Sequence, residues 1–212
     1  MNFDRELQDR VNEIETIIKA YLPEESGWAK TVMEAMNYSV NVGGKRLRPM
    51  LMAETYRLFG GADKAIEPFM AAIEMIHSYS LVHDDLPAMD NDEYRRGKKT
   101  TWVVYGDAMA ILAGDGLLNY AFETALKSFE MSGSDAGRKA KALSILAKKA
   151  GVHGMIGGQT ADIEAENLGH QVTIEHLLFI HEHKTAALIQ AAMMAGAVMA
   201  GAGEEQISLV EK

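Results

Sequence analysis

Residues 64–99, KAIEPFMAAIEMIHSYSLVHDDLPAMDNDEYRRGKK, decide how this chain folds. From Lys64 to His83 apolar residues fall almost all round a helical period: Ala65, Ile66, Phe69, Met70, Ile73, Met75, Ile76, Tyr79, Leu81 and Val82. A helix with no clear polar face is a buried, central one. The stretch then changes character. Five carboxylates (Asp84, Asp85, Asp90, Asp92, Glu93) stand directly ahead of four cations (Arg95, Arg96, Lys98, Lys99). They fall at the C-terminal end of the helix, where the macrodipole disfavours negative charge, so a bound cation explains them better than a stabilising role. Oxygen donors at this density suit a hard divalent ion, and neighbouring Arg and Lys suit phosphate. Together they imply a magnesium-bridged diphosphate. On an unbroken helix Asp84 and Asp90 would lie about 240° apart. Pro87 removes one helical hydrogen bond and clashes with the carbonyl of His83, so the helix must kink or end there. A changed chain direction would bring Asp90 back toward Asp84.

The flanking sequence is helical almost throughout, interrupted by only four prolines. Phe3, Leu7, Val11, Ile14, Ile17 and Ile18 form one stripe of a first helix that stops near Pro23. A second amphipathic stretch, about Trp28 to Val42, ends at Gly43-Gly44. A third starts near Pro49, which an opening turn tolerates, and stops at Gly60-Gly61. TTWVVY, residues 100–105, is strand-like in composition but has no partner run, so it reads as the entry to a helix from Gly106 to Met131. Further helices are expected from about Arg138 to Gly151, from near Thr173 to about Gly201, and again after Gly203. With no repeat and no linker, residues 1–212 read as a single all-α domain.

Composition narrows the function. Hydrophobic residues at 48% and charged residues at 24% are ordinary for a soluble globular protein. A net charge of −9 argues against a nucleic-acid binder, so an anionic ligand must be met by a local basic cluster. The absence of cysteine excludes disulfides and thiolate metal sites and suits a reducing compartment. The charged N-terminus lacks the apolar core of a signal peptide, so a cytoplasmic location is expected. Residues 186–203, AALIQAAMMAGAVMAGAG, are Ala/Gly-rich and interrupted by Gln190, which fits a helix buried among helices and no stable membrane insertion.

Some motifs admit plainer readings than the first they suggest. GGKRLRP, Gly43 to Pro49, fails the Walker pattern, with Arg46 in place of the magnesium-binding Ser or Thr and Ser39 in place of the first Gly. A Gly pair opening a basic helix start can still hold an anion through backbone N–H groups, and Lys45 and Arg48, three apart, would serve one ligand. GDGLLN, Gly114 to Asn119, lies in a helix and carries no dinucleotide reading. His176, His181 and His183 lack the one-turn pairing of a zinc helix and read as partly exposed surface groups. Gly154, Gly157 and Gly158 precede Gln159 and Asp162, which share a helix face. Lys184-Thr185 follows a polar turn and precedes a buried helix, where an ammonium needs a partner such as phosphate.

HDDLPAMDND followed by RRG, with GGKRLRP upstream and GGQ and HKT downstream, resembles the polyprenyl synthase family, most closely its bacterial farnesyl diphosphate synthases. The match runs in the expected order over nearly the whole chain. The resemblance implies an all-α isoprenoid synthase-type bundle around a central cavity, magnesium, and a homodimer. It implies condensation of isopentenyl diphosphate with dimethylallyl or geranyl diphosphate, with a geranylgeranyl or longer product as the alternative. Asp84, Asp85 and Asp90 would bind magnesium under the allylic diphosphate, which Arg95 and Lys184 would also contact. Gly44, Lys45, Arg48, His77 and Arg96 would form the isopentenyl diphosphate pocket. Thr185, Gln159 and the backbone carbonyl near Lys184 would face the developing allylic cation. Tyr79, with Ser80 beside it, would floor the tail cavity about 7.5 Å along the axis from Asp84 and so set a C15 product.

Departures accompany the match. Lys99 stands where the family often has proline, Trp102 where histidine is common, and Glu93-Tyr94 where Asp-Leu is usual, so the loop after Arg96 is expected to differ in shape. Family members continue to a second Asp-rich motif, and nothing after Lys212 supplies it. The expectation is therefore a chain missing the C-terminal helices of the fold, with little turnover alone. Its alternative is a short non-catalytic homologue serving as a binding or regulatory subunit.

Overall fold

The computed structural model describes residues 3–167 and 172–212. Among them the architecture is all-α, as expected. The helices are α1 (Phe3–Ala20), α2 (Lys30–Asn41), α3 (Leu47–Leu58), α4 (Glu67–Asp84), α5 (Thr101–Tyr105), α6 (Asp107–Leu126), α7 (Ala136–Ala150), α8 (Met155–Asn167), α9 (Ile174–Ile180), α10 (Ala187–Ala200) and α11 (Glu204–Glu211). The described strands are β1 (Tyr94–Arg95) and β2 (Lys98–Lys99). The chain divides into two compact units, one of Met1–Met50 with Glu67–Glu130 and one of Leu51–Ile66 with Met131–Lys212.

The first unit is built on α4. Phe69, Ile73, Met75 and Ile76 are wholly buried, and each such burial contributes about 1.5–3 kcal/mol. Pro68 and Glu67 open the helix, where a missing N–H is harmless and a carboxylate meets the positive end of the dipole. α4 packs along α6, which brings small buried residues to the contact: Ala110, Ala113, Gly114, Ala121 and Ala125. A Cβ at Gly114 would overlap the His83 imidazole, so glycine there lets the end of α4 lie close. α1 packs on α4, and α2 on both α4 and α6.

The strand-like TTWVVY run is helical in its last five residues, forming α5, which Gly106 (φ 82°) separates from α6. Pairing occurs instead just upstream, in a run that reads in sequence only as charge. Tyr94 faces Lys99 and Arg95 faces Lys98, joined by Arg96 and Gly97 at φ 54° and 76°. Two positive φ values in a two-residue loop make a tight hairpin whose twist matches its strands.

In the second unit α10 packs on α7. Ala191, Ala192, Ala195 and Ala197 are wholly buried, and Gly196 lies so close to the Met52 carbonyl that a Cβ would overlap it. Polar side chains cap two of these helices: the Asp135 side chain accepts from the Arg138 N–H at the head of α7, and Thr173 from the His176 N–H at the head of α9. Gly201, at φ 93°, ends α10 in a left-handed cap. One expected helix, from near Thr173 to Gly201, is interrupted by a π-helical turn at His181–Ala186. Among the described residues no helix is long and apolar enough to cross a membrane.

Candidate functional site

The segment Gly43–Pro49 and the middle of α4 enclose a cavity of about 380 Å³, lined by Gly44, Lys45, Arg46, Leu47, Arg48, Glu74, His77 and Arg96. The tight hairpin delivers Arg96, whose guanidinium donates to the Gly43 carbonyl and lies where a Cβ on Gly44 would have to be. Arg46 takes a left-handed backbone at φ 48°, which costs a non-glycine residue about 1–3 kcal/mol. Its Nη1 donates to Glu74 Oε1 at 2.7 Å and its Nη2 to the Val40 carbonyl at 2.8 Å. The Nε atoms of Arg48 and Arg46 are buried with no hydrogen-bond partner among the described residues.

Electrostatics mark this cavity as anion-seeking. Burial, then Arg48, Arg96, Arg46 and Arg95 in turn, push the His77 imidazole down to about 3, so it is neutral at pH 7. Burial lowers Arg48 as well, with Glu74 opposing and Arg96 adding to the shift, and burial likewise lowers Arg96. Four cations thus face one carboxylate around a volume fit for a small polyanion.

The acidic end of α4 is built differently. Past Asp84 the chain reverses at Pro87, and the Asp90 N–H donates to the Asp84 carbonyl at 2.9 Å. The return of Asp90 toward Asp84 that Pro87 suggested is therefore present. Asp85 is 4% exposed and held by the Arg95 fork, with Nε at 2.7 and 3.0 Å from its two oxygens. Burial raises the Asp85 carboxyl and Arg95 partly offsets it. Arg95 also lies 3.7 Å from Asp92. The Trp102 indole and the Thr100 hydroxyl both donate to the Asp92 carbonyl, so the departure at Trp102 serves to fix the loop.

The carboxylates supply only hard oxygen donors, which fit magnesium, but no group of three placed to hold a metal is found among the described residues. Magnesium keeps several waters and takes one or two carboxylates together with substrate phosphates, so a preformed cage is not required. Asp84 and Asp90 fit that role. Asp85, expected as a third ligand, has both oxygens turned to Arg95.

Tyr79 is 6% exposed and meets His83 edge-on at 5.9 Å. Its hydroxyl is buried without a partner among the described residues, and burial, then Asp84, push it up to about 12. Ser80 Oγ donates to its own helix at the His77 carbonyl. In the second unit Lys184 lies on the π-helical turn, paired with Asp162 at 2.5 Å. α8 approaches that turn so closely that a Cβ on Gly158 would overlap the Lys184 backbone nitrogen. Gln159 is half-buried on α8 and Thr185 is exposed on the turn. Helical spacing puts Asp162 beside Gln159 but carries no signal for its pairing with Lys184. Nor does any pattern mark Glu74, a lone carboxylate within an apolar run.

The helical scaffold thus sets a basic cavity beside an aspartate-rich helix end. The Polyprenyl synthetase family model matches residues 29–212, and the chain belongs to that family. It is 43% identical over 206 residues to a farnesyl diphosphate synthase of Geobacillus stearothermophilus, covering 97% of this chain and 68% of that protein. It is 47% identical over 184 residues to a chloroplastic geranylgeranyl pyrophosphate synthase of Catharanthus roseus, covering 85% of this chain and 50% of that one. The chain thus spans between half and about two thirds of these relatives' lengths. A crystal structure of an FPP/GFPP synthase from Zymomonas mobilis superposes with a TM-score of 0.91 at 34% identity, covering 98% of this chain and 74% of that one.

Proposed function

We propose that this chain carries the substrate-binding machinery of a prenyltransferase that joins isopentenyl diphosphate to an allylic diphosphate, with farnesyl diphosphate as product. The observation that carries the reading is the cavity around Arg48, whose buried Nε has no partner among the described residues and whose imidazole neighbour stays neutral among guanidiniums. A buried donor left unmade is costly, and a diphosphate oxygen satisfies it. Lys45, Arg48 and Arg96, with neutral His77 as a further donor, hold isopentenyl diphosphate and keep its head fixed while its double bond attacks.

Asp84 and Asp90, from the reversed chain at Pro87, and secondarily Asp85, hold magnesium at the allylic diphosphate. When bound, magnesium supplies positive charge to the departing diphosphate oxygens. Arg95 adds fixed positive charge there, which ionisation of the allylic C–O bond needs. Lys184, paired with Asp162, and Gln159 and Thr185 lie in the second unit, and the roles expected of them toward the allylic diphosphate and the developing carbocation belong to the same reading. The isopentenyl double bond is the nucleophile and the released diphosphate takes the proton lost after coupling, so neither a nucleophilic nor a basic side chain is required.

Calorimetry with isopentenyl diphosphate tests the cavity: the wild-type chain binds, and R48A binds about ten- to a hundredfold more weakly. Binding by R48A equal to that of wild type sinks the assignment.

Product length rests on Tyr79, buried one and a half turns before the aspartates. Relatives named for farnesyl and for geranylgeranyl products are similarly close, at 43% and 47% identity, so the longer product is the second reading. Chromatography of the products decides it, and Y79A should shift them to longer chains. An unchanged profile from folded Y79A removes the floor role. The homodimer belongs to the same reading, with Ile111, Leu112 and Leu126, exposed along α6, as the apolar face a second copy covers. A monomeric mass in sedimentation would remove that part.

A further inference from the structure

Arg46 lies in the basic motif and on the cavity wall, yet its surroundings are those of a strut. Its guanidinium ties three helices together: Glu74 of α4 at 2.7 Å, the Val40 carbonyl of α2 at 2.8 Å and Glu15 of α1 at 3.6 Å. Its side chain and that of Glu74 are almost wholly buried, at 3% and 4% exposure. Its backbone is left-handed at φ 48°, a conformation that persists in a non-glycine residue only where the surroundings over-determine it. Lys45 and Arg48 flank it on the same short segment, and the segment passes directly from two glycines into α3.

Glu74 sharpens the point. It stands one turn before His77 on α4 and lines the cavity. A carboxylate on the wall of an anion cavity opposes the ligand the cavity suits, so its presence there calls for a role other than binding. The geometry supplies that role, because Glu74 is the anchor against which Arg46 is fixed.

We propose that the Arg46–Glu74 pair is a positioning device, holding residues 43–49 in the one backbone path that turns Lys45 and Arg48 onto the anion. The inference rests on the diphosphate reading of the cavity. Its effect on binding runs through segment geometry, not through the charge of either partner.

That distinction gives opposite signs. E74L removes a negative charge from the cavity wall, so charge alone predicts tighter anion binding, whereas the strut predicts binding weaker by about tenfold or more. The measurement is calorimetric titration of the 212-residue chain with inorganic diphosphate, with urea unfolding of each variant in the same buffer. Tighter or unchanged binding by folded E74L overturns the proposal. Should E74L fail to fold, the double variant E74L/R46M decides, because it replaces a buried ion pair by apolar side chains and leaves the cavity's net charge unchanged. A wild-type urea midpoint with about tenfold weaker diphosphate binding supports the strut. Binding equal to wild type overturns it. The underlying reading fails in a different way: a wild-type chain that binds no diphosphate, or an R48A chain that binds it as wild type does, sinks that reading and the strut with it.

Discussion

The basic cavity and the acidic helix end are a few residues apart on α4 and its hairpin, yet they are prepared for their ligands to different degrees. Around the cavity, repulsive charges are already gathered at close quarters, His77 is held neutral by burial and then by those charges, and the Arg48 Nε is buried without a partner among the described residues. At the helix end the buried charge is answered, with Asp85 locked to Arg95, and a backbone bond from the Asp90 N–H to the Asp84 carbonyl folds the chain back. The cavity is preorganised for an anion, with the unfavourable gathering of charge built into the fold. In the proposed reading the helix end is only poised, with a polar framework in place that a cation and a phosphate would complete. The adjacent residues Arg95 and Arg96 embody the difference, since the hairpin sends one to Asp85 and the other to the Gly43 carbonyl and the cavity.

Breaking the cavity should have the largest effect. R48A removes charge-assisted hydrogen bonds worth about 1.5–3 kcal/mol, so diphosphate affinity should fall about ten- to a hundredfold in calorimetry. Separating the two arginines comes next. R95M leaves the buried Asp85 carboxylate without its fork and should lower urea stability by about 2–3 kcal/mol, below the full cost of a broken buried pair because Arg95 is itself partly exposed. R96M should change stability by about 1 kcal/mol or less while still weakening the anion. Equal stability losses from R95M and R96M would erase the distinction between the two regions. A smaller effect separates the ligands: magnesium should bind the chain weakly alone and about tenfold more tightly once diphosphate is present, because its coordination needs phosphate oxygens alongside one or two carboxylates. Tight binding to the ligand-free chain would show the helix end to be as complete as the cavity.

What the sequence revealed follows the same division. The buried α4 was legible because its apolar residues surround the helix, and its end was legible because Pro87 allows no continuation. The basic residues of the cavity were legible as a local cluster in a chain of net charge −9. The pairings were not. Arg95 and Asp85 are ten residues apart, Arg46 and Glu74 twenty-eight, and Lys184 and Asp162 twenty-two, separations with no periodic signature. The hairpin was hidden because its strands are two residues long and its turn uses Arg at a positive φ, where Asn or Asp would have signalled it. The π-helical turn in the Thr173–Gly201 stretch was hidden because the helical pattern continues through it. The close approach at Gly158 explains why glycine precedes Gln159 there, but only the packed backbone shows what glycine accommodates.

The smallest effect is the most specific to the preorganised side. An imidazole ordinarily titrates near 6.5, and His77 in the folded chain does so at about 3. Well above pH 6.5 it is neutral in both states and contributes no pH dependence. Between 6.5 and 3 the unfolded chain binds a proton that the folded chain refuses, so stability falls as pH falls through that window. The loss from His77 alone should be on the order of 1 kcal/mol between about pH 6.5 and 5.5. Urea midpoints of wild type and H77N isolate it from the carboxylates, because only the wild type carries the imidazole. Saturating diphosphate should shrink the difference in part, since an anion beside Arg48 and Arg96 offsets the share of the shift that these guanidiniums add to burial. Identical pH dependence in the two proteins would mean that neither burial nor the guanidiniums press on His77, and the cavity would lose its claim to be preorganised. A difference that persists undiminished with diphosphate bound would leave burial as the cause of the shift and deny the guanidiniums a part in it.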